Sequence, residues 1–514
     1  MQRPAHIFHD WLFVLLIALS VLPSCSEPRQ DPLVVQILQS SVELNPYRIA
    51  PLTARIHLEL SAPAKVAVTL QGRQGPESDV AHTFSDINTV HEIPVLGLYP
   101  GVTNVVELVL MDATGVTVGS DQLEIETIPL LHDLPQIAIE QRVAGMLPGM
   151  TLVSYYGHNG SITPQRPFMF DQFGDIRWYL DFRSYPLLAN AFLDVGVERL
   201  INGNLYFGDA STNRIYEMTM LGEVVNVWDM PGFGFHHNVQ EMPNGNFLVT
   251  ASKFGVNSVQ DHILEIDRQN NEIVRVWDLR QSLDAQRRTM TSDGYDWIHV
   301  NSVYYDPGDN CIVISGRTQG VFKLTMDNQL VWILAPHAEW TTAGNGVDMN
   351  AYLLQPLDRN GDPIVDQAVL TGERDHADFD WPWYQHAAAV QGNGNISLFD
   401  NGFRRFFAWN TRYSRAVEYA VNTETMTVRQ VWSYGRERGE DTFSRITSDV
   451  DLRRDQDRVF FSPGSISQGG VHRGKVVELL YASQQVVFEA SIYPPMPAWE
   501  ITFHRTERMP LYPD

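Results

Sequence analysis

The chain repeats itself. A strand ending in an aromatic residue recurs at Trp178, Trp228, Trp277, Trp332, Trp432 and Phe488, in steps of 50, 49, 55, 100 and 56 residues. A period of this size is the mark of stacked supersecondary units, none of which buries its apolar face alone. Inside the repeats a tight turn recurs as Asn202-Gly203-Asn204, Asn244-Gly245-Asn246 and Asn393-Gly394-Asn395, with Asp306-Pro307-Gly308-Asp309-Asn310 as a longer version. Asn-Gly supplies the positive φ values that a two-residue hairpin needs. Each repeat therefore reads as four strands of one sheet, and the array as a β-propeller. Six closing aromatics give six blades. The double step holds an insertion of about one repeat's length, near residues 335–384. A large open β-sandwich, the competing topology, does not account for the period.

The rest of the chain is divided by its ends. Arg3 precedes an apolar run from Trp11 to Val21, too short to span a bilayer comfortably but the length of a signal-peptide core. It ends in Leu22-Pro23-Ser24-Cys25, which resembles the lipobox of bacterial lipoproteins, in which the cysteine is acylated. Residues 1–25 are thus expected to direct export to the periplasm, with a lipid on Cys25 as the attachment to a membrane. The other cysteine, Cys311, is then left without an intramolecular partner. Four short alternating strands follow, Arg55 to Leu60, Lys65 to Leu70, Val105 to Met111 and Gln122 to Thr127, broken by turn-rich segments. They suggest a small β-sandwich over 26–140, with a structural or docking role, ahead of a propeller over 141–514. The expected class is all-β throughout. With Lys+Arg 37 against Asp+Glu 61 the net charge is −24, which argues against nucleic acid as a partner.

Position within the repeat shows where chemistry can sit. Nine residues back from the last residue of each turn lies the start of an innermost strand. The count reaches His237 from Asn246, Asn301 from Asn310, His386 from Asn395 and Ser448 from Asp457. His299 lies two residues before Asn301, so both side chains are expected on one face of the strand. Hairpin pairing brings Arg317 to the same end of the propeller as His299 and Asn301. Asp400 and Asn401 stand in that relation to His386, and Lys253 to His237. The result is a mouth lined by three histidines, an arginine and amide groups. A polar, wet channel with no chemistry is the bland alternative. Three histidines also admit a metal. That reading is disfavoured because the motifs place Arg317 and Asn301 in the cluster and give no carboxylate that must point inward. An anionic substrate fits better, since a guanidinium bonds two oxygens of an oxyanion at once.

These segments resemble the bacterial arylsulfate sulfotransferases of the six-bladed propeller type. The resemblance rests on Asp296-Trp297-Ile298-His299-Val300-Asn301-Ser302-Val303 through Ser315-Gly316-Arg317-Thr318-Gln319, and on Tyr384-Gln385-His386-Ala387-Ala388 followed by Leu398-Phe399-Asp400-Asn401-Gly402. Phe235-His236-His237-Asn238, Val431-Trp432-Ser433-Tyr434-Gly435 and Thr447-Ser448-Asp449-Val450 add to it, and the likeness runs from about Pro32 to the C-terminus. It implies transfer of a sulfuryl group from a phenolic sulfate ester to a phenolic acceptor through a sulfated histidine, without a nucleotide sulfate donor, a cofactor or a metal. By position His386 would be the nucleophile. His237, His299, Asn301 and Arg317 would bind the sulfuryl oxygens, with one of Thr447 or Ser448. Two departures stand out. Members of the family carry a disulfide close to the nucleophile loop, which this chain cannot form, and Asn238 stands where Asp is common.

The chemistry suits the residues. A neutral imidazole, with a reference pKa of about 6.5, already offers a lone pair to sulfur. The labile N–S bond then passes the group to a second phenol, the logic of ping-pong catalysis. A sulfate monoester carries one negative charge, so one Arg with neutral donors can serve it, and His299 or His237 can handle the phenolic proton. The insertion's Trp340, Trp381, Trp383 and Tyr384 lead into the innermost strand before His386. They are expected to hang over the mouth, either as part of an aryl pocket, with Trp383 against substrate, or as the insertion's own small core. Two rival functions stay open: an aryl sulfatase with water as acceptor, and a non-catalytic propeller that only binds a ligand. Oligomeric state is not fixed by the sequence, and a homodimer is compatible with it.

Overall fold

The computed structural model describes residues 34–157, 165–291 and 293–513. The export segment and Cys25 lie outside these residues. The N-terminal unit is organised by one 18-residue strand, Thr53–Leu70, whose alternating burial sends Ile56, Leu58, Val66 and Val68 into a common core. Its first half pairs with Ile37–Leu44 and Asn88–Leu96, and its second half with Val80–Thr83 and Thr103–Met111. Two strands expected from the sequence are therefore one. The pairing changes around Ala62-Pro63, where proline offers no N–H to a ladder. The unit docks on the propeller through Arg177, fully buried, which donates to Gly97 O at 2.7 Å and to Asp171 at 2.9 Å.

Six further sheets follow, each of four or more strands. The third to sixth begin with the innermost strands Phe233–Glu241, Val300–Asp306, His386–Val390 and Asp449–Arg453. The ring is closed twice. The C-terminal strand Thr502–Met509 pairs with Met150–Gly157 as the innermost strand of the first blade, and Gln136–Arg142 pairs with Val486–Tyr493 at the outer edge of the sixth. The propeller thus takes the chain from Gln136, earlier than the boundary expected at 141.

The repeating aromatics lie in the fourth strand of each blade, counted from the axis, and four of the tryptophans tie their blade to the next. Trp178 Nε1 donates to Met220 O, Trp228 to Arg268 O, Trp277 to Thr325 O and Trp432 to Tyr481 O, at 2.8 to 3.0 Å. The Asn-Gly-Asn turns differ from the two-residue form. Gly203 N bonds Leu200 O, Leu200 N bonds Asn204 O, and of the three turn residues only Gly203 has positive φ, at 89°. This is a three-residue loop with a glycine bulge. The last asparagine of each turn has its own use, donating to Glu217, Glu265 or Glu418 on the third strand of its blade.

The insertion lies along the outer edge of the fifth blade, not over the mouth: Gln355–Leu357 adds a parallel strand to Thr427–Tyr434. Trp383 is fully buried. Its Nε1 is 3.2 Å from Asp380 Oδ1, and its ring meets Phe406 and Phe407 edge-on. Trp381 packs edge-on against Phe379 and donates to Val369 O, while Tyr384 donates to Met290 O. These rings are buried in a core that the insertion shares with the fourth and fifth blades, and Trp340 in a neighbouring cluster of the fourth blade, so Trp383 is not the substrate contact expected of it.

Candidate active site

Left-handed backbone recurs where the innermost strands open onto the mouth. Asp194 has φ 57°, His237 59°, His299 52°, Ala387 53°, Thr447 59° and Ser448 86°. Such conformations cost about 1–3 kcal/mol each in bulky residues and persist where surrounding structure holds them. Pairing slips at the same places, between Phe235 and Val239, Val300 and Ser302, and His386 and Ala389. These bulges turn histidine side chains into a cavity of about 370 Å³ lined by Asp194, His237, His299, Arg317, His386 and His504, among others.

His386 is the best-defined member. Its Nδ1 lies 2.7 Å from Asn401 Oδ1 and 3.1 Å from Tyr384 O. Asn401 spends its amide N–H groups on Ser444 O and Thr447 O, at 2.8 and 3.0 Å, so its oxygen must face the ring. Two acceptors therefore fix the proton on Nδ1 and leave Nε2 with a free lone pair. Burial, reinforced by the Arg317 charge, brings the His386 pKa down to about 4. At neutral pH the ring is unprotonated and nucleophilic.

Around it stand His237, with ring centroids 6.4 Å away, and His504, at 6.1 Å. His237 Nε2 is 3.2 Å from His299 Nε2. Asp194 supports this group: its Oδ2 accepts from the His237 backbone N–H at 2.8 Å and lies 3.1 Å from that ring's Nδ1, while Oδ1 is 3.3 Å from His504 Nε2. His299 Nδ1 is 2.6 Å from Asp296 Oδ2. Burial pushes Asp296 up to about 6, and lowers His237, His299 and His504 well below the ordinary imidazole value. Arg317 is fixed through its backbone, its N–H donating to His299 O at 3.1 Å. Its guanidinium is 3.9 Å from Asp296, and its Nε has no hydrogen-bond partner among the described residues. A cation with donors unspent is what a bound oxyanion requires.

The expected residues do not all meet. His237, His299, His386, Arg317 and Thr447 line the cavity. Asn301 and Ser448 do not: they border a separate small space beside His386 and His504. Asn301 donates to Gln385 O at 2.7 Å, because the bulge at its own position breaks the two-residue alternation that would have placed it beside His299. The Ser448 hydroxyl is committed to Ser444 Oγ and accepts from Gly464 N. Lys253 pairs with Phe233 and is exposed, away from His237. Asn238 ties two blades together, accepting from Val303 N at 3.2 Å; Asp194 takes over the orientation of His237.

Sequence reasoning missed Asp194, His236, Asp296, Arg445 and His504. Asp194 is the inward carboxylate that was expected to be lacking. The nine-residue count applied to Asn204 would have reached Val195, its neighbour. His504 has no such signal, because the strand that completes the first blade comes from the far end of the chain. Arg445, exposed at the rim, adds a second positive charge.

Comparison with known proteins adds an independent line. The profile of the arylsulfotransferase (ASST) family matches residues 137–498, and that of the arylsulfotransferase Ig-like domain matches 41–128. Arylsulfate sulfotransferase AssT of Escherichia coli O6:H1 is 28% identical over 88% of this chain and 90% of its own length. Arylsulfate sulfotransferase AssT of Lelliottia amnigena is 27% identical over the same shares. Among solved structures, a virginiamycin B lyase from Staphylococcus aureus has 9% identity and a TM-score of 0.33 over 70% of this chain and 89% of its own, and carries no functional argument.

Proposed function

This chain belongs to the arylsulfotransferase family, and from that premise and the cavity's geometry we propose that it works by a ping-pong mechanism through a sulfated His386. The overall activity is arylsulfate sulfotransfer, with a phenolic sulfate as donor and a phenol as acceptor. In the first half-reaction the His386 Nε2 lone pair attacks sulfur, the N–S bond forms and the S–O bond to the aryl group breaks. The phenolate leaves with the bonding electrons. In the second, an incoming phenol oxygen attacks the same sulfur, the N–S bond breaks and neutral His386 returns. Arg317, with Arg445 at the rim, offsets charge on the sulfuryl oxygens. His237, His299 and Thr447 flank the group, and the His237–His299 pair takes up the acceptor's proton and supplies the one the donor phenolate needs.

The observation that carries this reading is the His386 hydrogen bonding, which commits Nδ1 to two acceptors and leaves Nε2 free toward the cavity. Initial rates with donor and acceptor varied together test it. Parallel double-reciprocal lines, with steady phenol release only when acceptor is present, support the transferase. Equal release without acceptor would make the enzyme a sulfatase. Export and lipid attachment at Cys25 belong to the same reading and rest on the sequence of residues 1–25. Substituting Cys25→Ala should move the protein from the membrane to the soluble fraction; unchanged partition would reject the anchor.

A further inference from the structure

Beside the nucleophile lies a second arrangement with its own chemical logic. One ring nitrogen from each of His236, His237 and His299 lies within 4.8 Å of the others. Carboxylates stand behind all three rings. Asp194 Oδ2 is 3.4 Å from His236 Nδ1 and 3.1 Å from His237 Nδ1, and Asp296 Oδ2 is 2.6 Å from His299 Nδ1. The Asp296 carboxylate at His299 Nδ1 holds the proton there and leaves His299 Nε2 as a lone pair, while Asp194 stands close to the other two rings without a hydrogen bond to His237 Nδ1. The Nε2 atoms of His237 and His299 face each other 3.2 Å apart, within reach of one ion once the proton they share is displaced. That separation matches the edge of a tetrahedron with metal–nitrogen bonds of 2.0–2.1 Å, which is about 3.3 Å. The His236 Nε2 atom is buried and has no hydrogen-bond partner among the described residues.

We propose that His236, His237 and His299 bind one divalent transition-metal ion of the kind that prefers imidazole, represented by Zn²⁺, with Asp194 and Asp296 as the carboxylates that orient the rings. Imidazole nitrogens suit Zn²⁺ over Mg²⁺ or Ca²⁺, which take oxygen ligands. Three histidines leave the fourth position open to the cavity. Arg317 does not exclude the ion, because Asp194 and Asp296 outweigh its charge. The inference stands apart from the transferase reading, since metal binding is measured without turnover. It has one consequence for that activity: His237 and His299 cannot serve both the ion and a sulfuryl group, so Zn²⁺ should act as an inhibitor that competes with donor.

The test is calorimetric titration of the metal-free full chain, purified in detergent, with Zn²⁺, with Co²⁺ as a visible-absorption probe of coordination geometry. One ion per chain is expected, with intense tetrahedral Co²⁺ bands. Asp296→Asn should weaken binding about 10–100-fold, and His236→Ala or His299→Ala at least as much. Thermal melting confirms that each variant is folded, and His236→Gln, which keeps the side-chain bulk, repeats the measurement if the alanine variant is not. With Zn²⁺ present the donor KM should rise at constant kcat. No uptake of Zn²⁺, or uptake unchanged in both histidine variants, would overturn the proposal. So would loss in His504→Ala with retention in His299→Ala, which would place the ion among Asp194, His237 and His504.

Discussion

Two buried charged clusters stand close together in this propeller, and they are built on opposite plans. In the fifth blade Asp380, Asp400, Arg405 and Arg415 are all sealed from water. Arg405 reaches Asp380 and Asp400, and Arg415 Nε donates to Asp400 at 2.7 Å. Asp400 Oδ1 also accepts from Trp383 N and Gly402 N, and Tyr419 donates to Asp380 O. Burial alone would raise the Asp380 pKa, but the two guanidiniums hold it below the usual carboxylate value. The histidine cluster does the reverse. His236 Nε2, His237 Nδ1 and Arg317 Nε are buried without hydrogen-bond partners among the described residues, and burial keeps the imidazoles neutral. A cluster whose opposite charges are paired, with only Arg405 Nε left without a hydrogen-bond partner among the described residues, fixes the chain; a cluster with several spare donors and lone pairs waits for a ligand. The two are joined, because Asp400 and Asn401 are neighbours, one serving the ion network and the other orienting His386. The network pins the segment before the nucleophile, in a chain whose buried Cys311 has no disulfide partner among the described residues.

Substitutions in the two clusters should therefore fail in different ways. His386→Ala should lower sulfuryl transfer by a factor on the order of 10⁴ or more at an unchanged melting temperature, read by phenol release and calorimetry. Arg405→Met leaves Asp380 and Asp400 short of a counter-charge and should cost about 3–5 kcal/mol of stability, seen in denaturant unfolding, while donor KM is unaffected. Arg317→Ala should lower kcat/KM for the donor by about 10²–10³, as loss of one oxyanion donor does, with little change in stability. A stability loss from Arg317→Ala, or a large KM effect from Arg405→Met, would break the division.

The pH dependence sharpens it further. With the His386 pKa brought down to about 4, kcat/KM for the donor should hold from pH 8 to about 5 and fall as the ring protonates. Removing Arg317 removes a charge that disfavours protonation, so the limb should move upward in Arg317→Ala. A limb near pH 6 in the native enzyme would instead mark Asp296 as the controlling group. The smallest effect belongs to Trp383→Phe. It loses one hydrogen bond to Asp380, worth about 1 kcal/mol, and should leave donor KM unchanged.

The repeat was legible because the blades spend similar residues on the same tasks, an aromatic in the fourth strand of each and, in three of them, an Asn-Gly-Asn turn to close the first hairpin. Counting along that repeat reached His237 and His386. It went wrong where the backbone leaves the two-residue period: the bulge at Asn301 and the left-handed Thr447 and Ser448 send side chains to faces that alternation does not foresee. It was silent where topology joins distant segments, as at His504. The aromatic run before His386 carried no sign of which way it faced, since a buried core and an aryl pocket use the same rings.

The claim at the centre of this account is that His386 carries the sulfuryl group. Mass spectrometry of the purified enzyme mixed with donor alone tests it most directly. The account predicts a gain of one SO₃ per chain, located on the peptide containing His386, released on adding a phenol and missing in His386→Ala. Turnover with no adduct on rapid quenching, or an adduct on any other residue, would contradict it.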